Sequence, residues 1–416
     1  MSLSELKKQL AEYKAKDLAL NMERGQPSDA DFNLSIKMLT IVGEKDIKTP
    51  SGIDIRNYPG GIAGLKEARE LFSKVIEVNP DEIIVGNNSS VKLLAEILMW
   101  SLVRGLKNSD RPWGSSGTRA KMIVTVPGYD RHFKLLETLG FEMATVNMTA
   151  VGPDIDEIEK IASRDSTVKG LVFVPRYSNP TGDTVSAEVI KRLAGMDTAA
   201  KDFTIFADNA YAVHHLTDNP VKRLNLLQEC EKAGNPDRIY IFGSTSKMTF
   251  SGAGIGFVGT SKENLKYIGD LKEAASIGPN KIEQYRHVRF LSSYPGGIEG
   301  LMREHAKILK PKFDTVDKIL TRELAGTNLA EWTKPEGGYF VSLNTKKPAA
   351  SRVVELAKEL GVALTPAGAT YPFGKDPHNS NLRLAPSRPP VAEVEEAMTV
   401  VALCIKLAGA EFDQNH

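Results

Sequence analysis

The sequence predicts an α/β fold: a mostly parallel central sheet with flanking helices, followed by a smaller α+β domain. From about Asp81, short apolar runs alternate with amphipathic segments of helix length, the pattern of strands joined by crossover helices. From about Gly300 the pattern changes. A long charged helix (LMREHAKILKPKFDTVDKILTREL) precedes short strand-like runs and further helices. The expected strands of the first part also end in segments rich in polar, aromatic, Gly and Pro residues: GNNSS, PGYDRH, PRYSNPTG, ADNAY and GSTSK. Ligands gather at such carboxyl ends in open parallel sheets.

The first eighteen residues, MSLSELKKQLAEYKAKDL, read as a charged amphipathic helix without the apolar core of a signal peptide. A loop, NMERGQPSDADF, leads to a second helix and to the Gly-rich RNYPGGIAGLKEARELF. The strand EIIVG enters the helix SSVKLLAEILMWSL, and KMIVTVPG enters YDRHFKLLETLG. The strands VKGLVFVP, DFTIFADNA and RIYIFGS follow, with helices or loops between. After the long helix come GGYFVSL, the helix ASRVVELAKELG, the short runs VALTP and NLRLAPS, and a last helix. The expected organisation is an N-terminal arm contributing to the small domain (1–50), a large domain (51–299) and a small C-terminal domain (300–416).

With 53 basic against 52 acidic residues the chain is near neutral, which disfavours general nucleic-acid binding and a polybasic membrane anchor. The most apolar run, VKLLAEILMWSLVRGL, is interrupted by Lys92, Glu96 and Arg104 and is a poor membrane span. Cys230 and Cys404 are far apart in sequence, as expected of a reducing cytoplasm more than of a disulfide framework.

Lys247 follows a strand and lies among serines, threonines and glycines. A lysine buried without a partner loses its proton readily, so the segment raises a choice between phosphate ligand, nucleophile and plain loop. GAGIG (252–256) has the wrong glycine spacing for a dinucleotide fold, and GSTSK lacks the second glycine of a P-loop. Asp208, His214 and His215 show no metal-site spacing, and the two histidines are expected to be structural or solvated. Asn88, Ser89 and Ser90 lie where a strand meets a helix N-terminus, which suits either an anion or a simple cap.

Taken in order, SNPTG, DNAY, STSK and RLAPS resemble the fold-type I pyridoxal-phosphate enzymes, the aspartate aminotransferase superfamily. PGYDRHF, NAYAVH, STSKMTFSGAG and GPNK are most similar to its bacterial Ic subgroup. The resemblance runs from GQP near the N-terminus to RLAPS. It implies pyridoxal 5'-phosphate as cofactor, with Lys247 as Schiff-base and proton-transfer lysine and Asp208 as partner of the pyridinium nitrogen. Tyr211 and Asn179 would hydrogen-bond the ring oxygen, and Tyr129 would stack on the ring. Asn88, Ser89, Ser90, Ser244 and Ser246 would hold the phosphate. Arg383 would grip the substrate α-carboxylate through its planar fork, with Asn179 beside it and Gly25 closing over the same group. Tyr58 and Lys281 would reach the phosphate of a neighbouring subunit, so the expected assembly is a homodimer with composite sites.

One position departs from the pattern. Many members of the superfamily carry a phosphate-binding arginine eight residues after the lysine, where this chain has Ile255. Lys281 is the expected substitute, with Arg24 and Arg176 as rivals. Arg24, Arg131, Arg176 and Lys281 are the candidates for a distal substrate carboxylate. The activity implied is ping-pong amino transfer between L-aspartate and 2-oxoglutarate in the cytoplasm, without nucleic-acid or membrane partners. The alternatives are an aromatic or 2-aminoadipate aminotransferase, a β-lyase or, in a different class, a non-catalytic ligand-sensing domain.

Overall fold

The computed structural model describes residues 2–86, 88–115, 117–222 and 224–415. Its centre is an eight-stranded sheet in the spatial order Ile83–Gly86, Gly256–Gly259, Ile239–Ser244, Thr204–Asp208, Val168–Phe173, Lys121–Val126, Glu142–Thr149 and Gly152–Pro153. The run from Ile239–Ser244 to Glu142–Thr149 is parallel throughout. Thr204–Asp208 and Ile239–Ser244 are buried at every residue, which is why they read as continuous apolar runs without alternation.

Three strands of this sheet were not expected from the sequence. Glu142–Thr149 and Gly152–Pro153 form one edge, the latter antiparallel. Gly256–Gly259 is inserted antiparallel between two neighbours, although its glycines resemble turn signals. They serve close approach instead. A Cβ at Gly256 would lie 2.5 Å from the Ser89 carbonyl oxygen, and one at Gly243, on the adjacent strand, 2.1 Å from the Phe257 ring. Glycine here lets the backbone of the Ser89 loop lie directly against the sheet.

A second core gathers around the three-stranded antiparallel sheet of Ala330–Trp332, Val341–Thr345 and Asn381–Leu384. Leu20–Met22 pairs in parallel with Val362–Leu364, and Leu6 from the first helix is buried in the same core. Met38, by contrast, packs with the residues under the central sheet. The helix Gly297–Leu324 links the two: Leu301 and Met302 belong to the central core, Leu309 through Leu324 to the other. The compositional change near residue 300 therefore falls inside one continuous helix. Cys230 and Cys404 are both free and buried. No described helix is long and apolar enough to cross a membrane.

Candidate active site

The carboxyl ends of the parallel strands open on a cavity of about 340 Å³ whose lining includes Ser89, Ser90, Tyr129, Arg131, Asp208, Tyr211, Ser244, Ser246 and Lys247. Segments up to 158 residues apart in sequence thus meet at one place, from Ser89 to Lys247.

Asp208 is the last residue of its strand. Its Oδ2 lies 3.0 Å from His132 Nε2, and both side chains are nearly inaccessible. Its Oδ1 is buried with no hydrogen-bond partner. A buried carboxylate oxygen left bare is costly, so this atom marks a place for a donor from outside the chain.

Lys247 follows the neighbouring strand on a loop whose base is fixed by two bonds. The Thr245 amide donates to the Ile255 carbonyl, and the Ile255 amide donates to Thr245 Oγ1, each at 2.9 Å. Lys247 Nζ stands 5.1 Å from the centre of the Tyr211 ring and 5.9 Å from that of Tyr339. Burial pushes its amine below the ordinary lysine value; the Asp208 charge opposes this and the Arg383 charge reinforces it. The result is an amine more available in neutral form than a surface lysine. Burial also raises the Tyr211 and Tyr129 phenols, with Asp208 contributing to both, so both remain O–H donors. The Tyr129 ring meets the His132 ring edge-on at 4.9 Å.

At the other end of the cavity Ser89 caps the helix Ser90–Val103, its Oγ accepting from the Lys92 amide at 3.2 Å. Ser244 Oγ and Ser246 Oγ are 2.7 Å apart. Hydroxyls beside a helix N-terminus suit an anion. Asn88 lies beside this corner, its carbonyl 3.0 Å from a Cβ built on Gly254; it does not line the cavity itself. Ile255 is 2 % exposed and part of the core, so its position contributes packing and no charge. Lys281 Nζ donates to the Tyr58 carbonyl at 2.9 Å. Neither residue lines the cavity of its own chain, and Tyr58 is 68 % exposed.

Arg383, on the strand Asn381–Leu384, is buried with its guanidinium 4.9 Å from the centre of the Phe340 ring. Nη1 donates to Asp130 Oδ1 at 2.7 Å and to Asn179 Oδ1 at 3.4 Å. Asn179 Nδ2 is buried without a partner, a second open position. Gly25 lies against the tip of the Phe340 ring; a Cβ there would be 2.4 Å from Phe340 Cζ. Of the other cations considered, Arg24 pairs loosely with Glu23 at 3.8 Å and is largely exposed. Arg176 Nη2 donates to the Val221 carbonyl at 2.7 Å over the Tyr177 ring. Arg131 alone among these candidates lines the cavity.

His214 is buried between Tyr211 and Tyr339, and burial holds it down at about 3. His215 meets the Tyr177 hydroxyl at 2.7 Å and is held down at about 4, again mainly by burial. Both are neutral packing residues. Among the described residues no group of three or more His, Cys, Asp or Glu side chains is arranged to hold a metal ion.

Sequence reasoning missed His132, Asp130, Tyr339 and Phe340. For His132 a signal existed: it stands three residues after Tyr129 at a helix start, a spacing that puts the two on one face. Asp130 meets an arginine 253 residues away, and no local pattern announces such a pair.

The family described as aspartate amino-transferase matches residues 2–416. The aspartate aminotransferase of Corynebacterium glutamicum is 44% identical over 411 residues, covering 99% of this chain and 94% of that protein. The crystal structure of an aspartate transaminase from Corynebacterium glutamicum has a TM-score of 0.95 at 44% identity, covering 99% of this chain and 96% of that one. The α-aminoadipate aminotransferase of Thermus thermophilus, solved with N-(5'-phosphopyridoxyl)-L-leucine, shares the fold at a TM-score of 0.76 and 21% identity, over 98% of this chain and 95% of that one. Matched by family and by fold over nearly its whole length, the chain belongs to the aspartate amino-transferase family of fold-type I enzymes.

Proposed function

We propose that this aminotransferase uses pyridoxal 5'-phosphate to transfer the amino group of L-aspartate to 2-oxoglutarate by a ping-pong mechanism, as a cytoplasmic homodimer. The observation that carries the reading is the unpartnered Asp208 Oδ1 in the same cavity as a lysine whose amine is pushed toward neutrality. The residues fit the cofactor. Asp208 Oδ1 would take a ring N–H, the Tyr211 hydroxyl and Asn179 Nδ2 would donate to a ring oxygen, and Tyr129 would cover the ring face. Ser89, Ser90, Ser244 and Ser246, together with Asn88, would hold the phosphate.

When bound, pyridoxal phosphate supplies an aldehyde carbon for the amino nitrogen and a protonated ring that draws electrons from the substrate Cα. Lys247 would hold the cofactor covalently, yield its place to the incoming amine, and then move the Cα proton through its neutral Nζ. Asp208, itself held by His132, would keep the ring nitrogen protonated. Arg383 would orient the α-carboxylate, with Gly25 and Phe340 shaping the space around it.

Support for a dimer comes from a groove of about 690 Å³ lined in part by Ile62, Met99, Val103 and Pro279, beside the exposed Ile277 and Ile282. Exposed apolar surface on this scale suits a protein partner. Tyr58, 68 % exposed, would then reach the second subunit's site, and Lys281, 7 % exposed and held by the Tyr58 carbonyl, would lend its charge from behind it in place of the one that Ile255 does not supply. The two buried free cysteines fit a reducing compartment. The choice of aspartate follows the aspartate aminotransferase of Corynebacterium glutamicum, 44% identical to this chain.

The test is a panel of single amino acids added to the purified protein loaded with pyridoxal phosphate, with the visible spectrum recorded. Aspartate and glutamate are expected to discharge the bound-cofactor band, with recovery on adding 2-oxoglutarate. A band that aromatic amino acids or 2-aminoadipate discharge in preference would replace the substrate assignment. Absence of any such band would contradict the cofactor assignment.

A further inference from the structure

The arginine assigned to the substrate already holds a carboxylate. Arg383 Nη1 donates to Asp130 Oδ1 at 2.7 Å, while Nε reaches Thr365 Oγ1 at 3.4 Å and the guanidinium lies on Phe340. The two partners differ in freedom. The Arg383 side chain is 6 % exposed and that of Asp130 is 36 % exposed. Asp130 is also the first residue of the helix Asp130–Thr138, where a carboxylate is favoured by the positive end of the helix. Asp130 therefore has a favourable place to stay once it leaves the arginine. Arg383, fixed by Thr365 and Phe340, does not. Of the two, the carboxylate is the group that moves.

The geometry points to Asp130 as an internal carboxylate that occupies Arg383 and is exchanged for the α-carboxylate of the arriving amino acid. This rests on the proposal that Arg383 takes the α-carboxylate. The exchange keeps a buried guanidinium paired at every stage, which matters because an uncompensated buried charge is expensive. Its cost is apparent affinity: a site open only part of the time binds more weakly by that fraction. Asp130 is flanked by Tyr129, which lines the cavity, and lies two residues from His132, which holds Asp208. Asp130 thus shares the first turn of the helix with both. Asp130 is a positioning residue; it has no part in the proton transfers.

The test is calorimetric titration of the pyridoxal-phosphate-loaded protein with propionate, which has one carboxylate, and succinate, which has two. Asp130→Asn is expected to tighten both by about tenfold, the gain for a site that was open about a tenth of the time. Glu137→Gln removes the same charge from the same helix, where Glu137 is held by Lys134 at 3.1 Å, and should leave both affinities unchanged. Arg383→Gln should abolish both. Asp130→Ser, which keeps a residue suited to a helix start, repeats the measurement should Asp130→Asn fold poorly. The idea is overturned by Asp130 variants that bind no tighter than the parent, by an equal gain in Glu137→Gln, or by a gain confined to succinate. Undiminished binding in Arg383→Gln would instead overturn the role given to Arg383.

Discussion

One helix turn carries two acid–base pairs of opposite character. His132 and Asp208 are sealed, with side chains 4 % and 3 % exposed. Two residues away, Asp130 reaches Arg383 at the edge of the cavity with a third of its side chain in solvent. The sealed pair comes wholly from the central sheet and its connections, whereas the open pair joins the central core to the antiparallel sheet of the C-terminal core. The difference separates two tasks. On the proposed reading, the group that would stay charged through turnover is enclosed and given a fixed partner. The group that would accept and release substrate is left with a partner that solvent can reach.

The largest effect should come from the sealed pair. Asp208→Asn removes the charge that would keep the ring nitrogen protonated, and kcat should fall by about 10³, the scale of losing a dedicated electrostatic contact. Steady-state kinetics with cofactor in excess checks this, and a loss below tenfold would contradict the role. Next is Arg383→Lys, which keeps the charge and loses the planar fork; kcat/KM should fall by about a hundredfold, chiefly through KM. A loss confined to kcat would point away from ground-state binding.

His132→Ala should cost about 1–3 kcal/mol of stability in urea denaturation without cofactor, because Asp208 Oδ2 joins Oδ1 as a bare buried acceptor. The cost should shrink when the cofactor is added. The smallest effect concerns pH. The Lys247 amine is held below the ordinary value of 10.5, so between the lowered value and 10.5 the unfolded chain binds more protons and stability rises with pH. Cofactor-free Lys247→Met should thus be more stable than the parent at neutral pH, with the gap narrowing toward pH 10.5. A gap that widens with pH would contradict burial as the cause.

The contrast also explains what the sequence made legible. The parallel strands are buried on both faces, so KMIVTVPG, VKGLVFVP and RIYIFGS stand out as apolar runs, and polar residues at their ends mark the site. Gly256–Gly259 stayed hidden because its glycines answer to the Ser89 backbone passing against it, a long-range cause with no local trace. Glu142–Thr149 stayed hidden because its burial is irregular near the sheet edge. Within the site, Lys247, Asp208 and Tyr211 carried motifs of their own. Asp130 did not, because its meaning depends on an arginine that only the folded chain brings near. Ile255 was visible as a departure from the expected pattern, and its burial in the core explains why it carries no charge.

The most direct test of the account is to treat the pyridoxal-phosphate-loaded protein with borohydride, digest it and map the pyridoxyl group by mass spectrometry. The account predicts one labelled peptide, containing Lys247, whose label disappears when aspartate is added before reduction. A label on another lysine, or a Lys247 label that no amino acid removes, would contradict it.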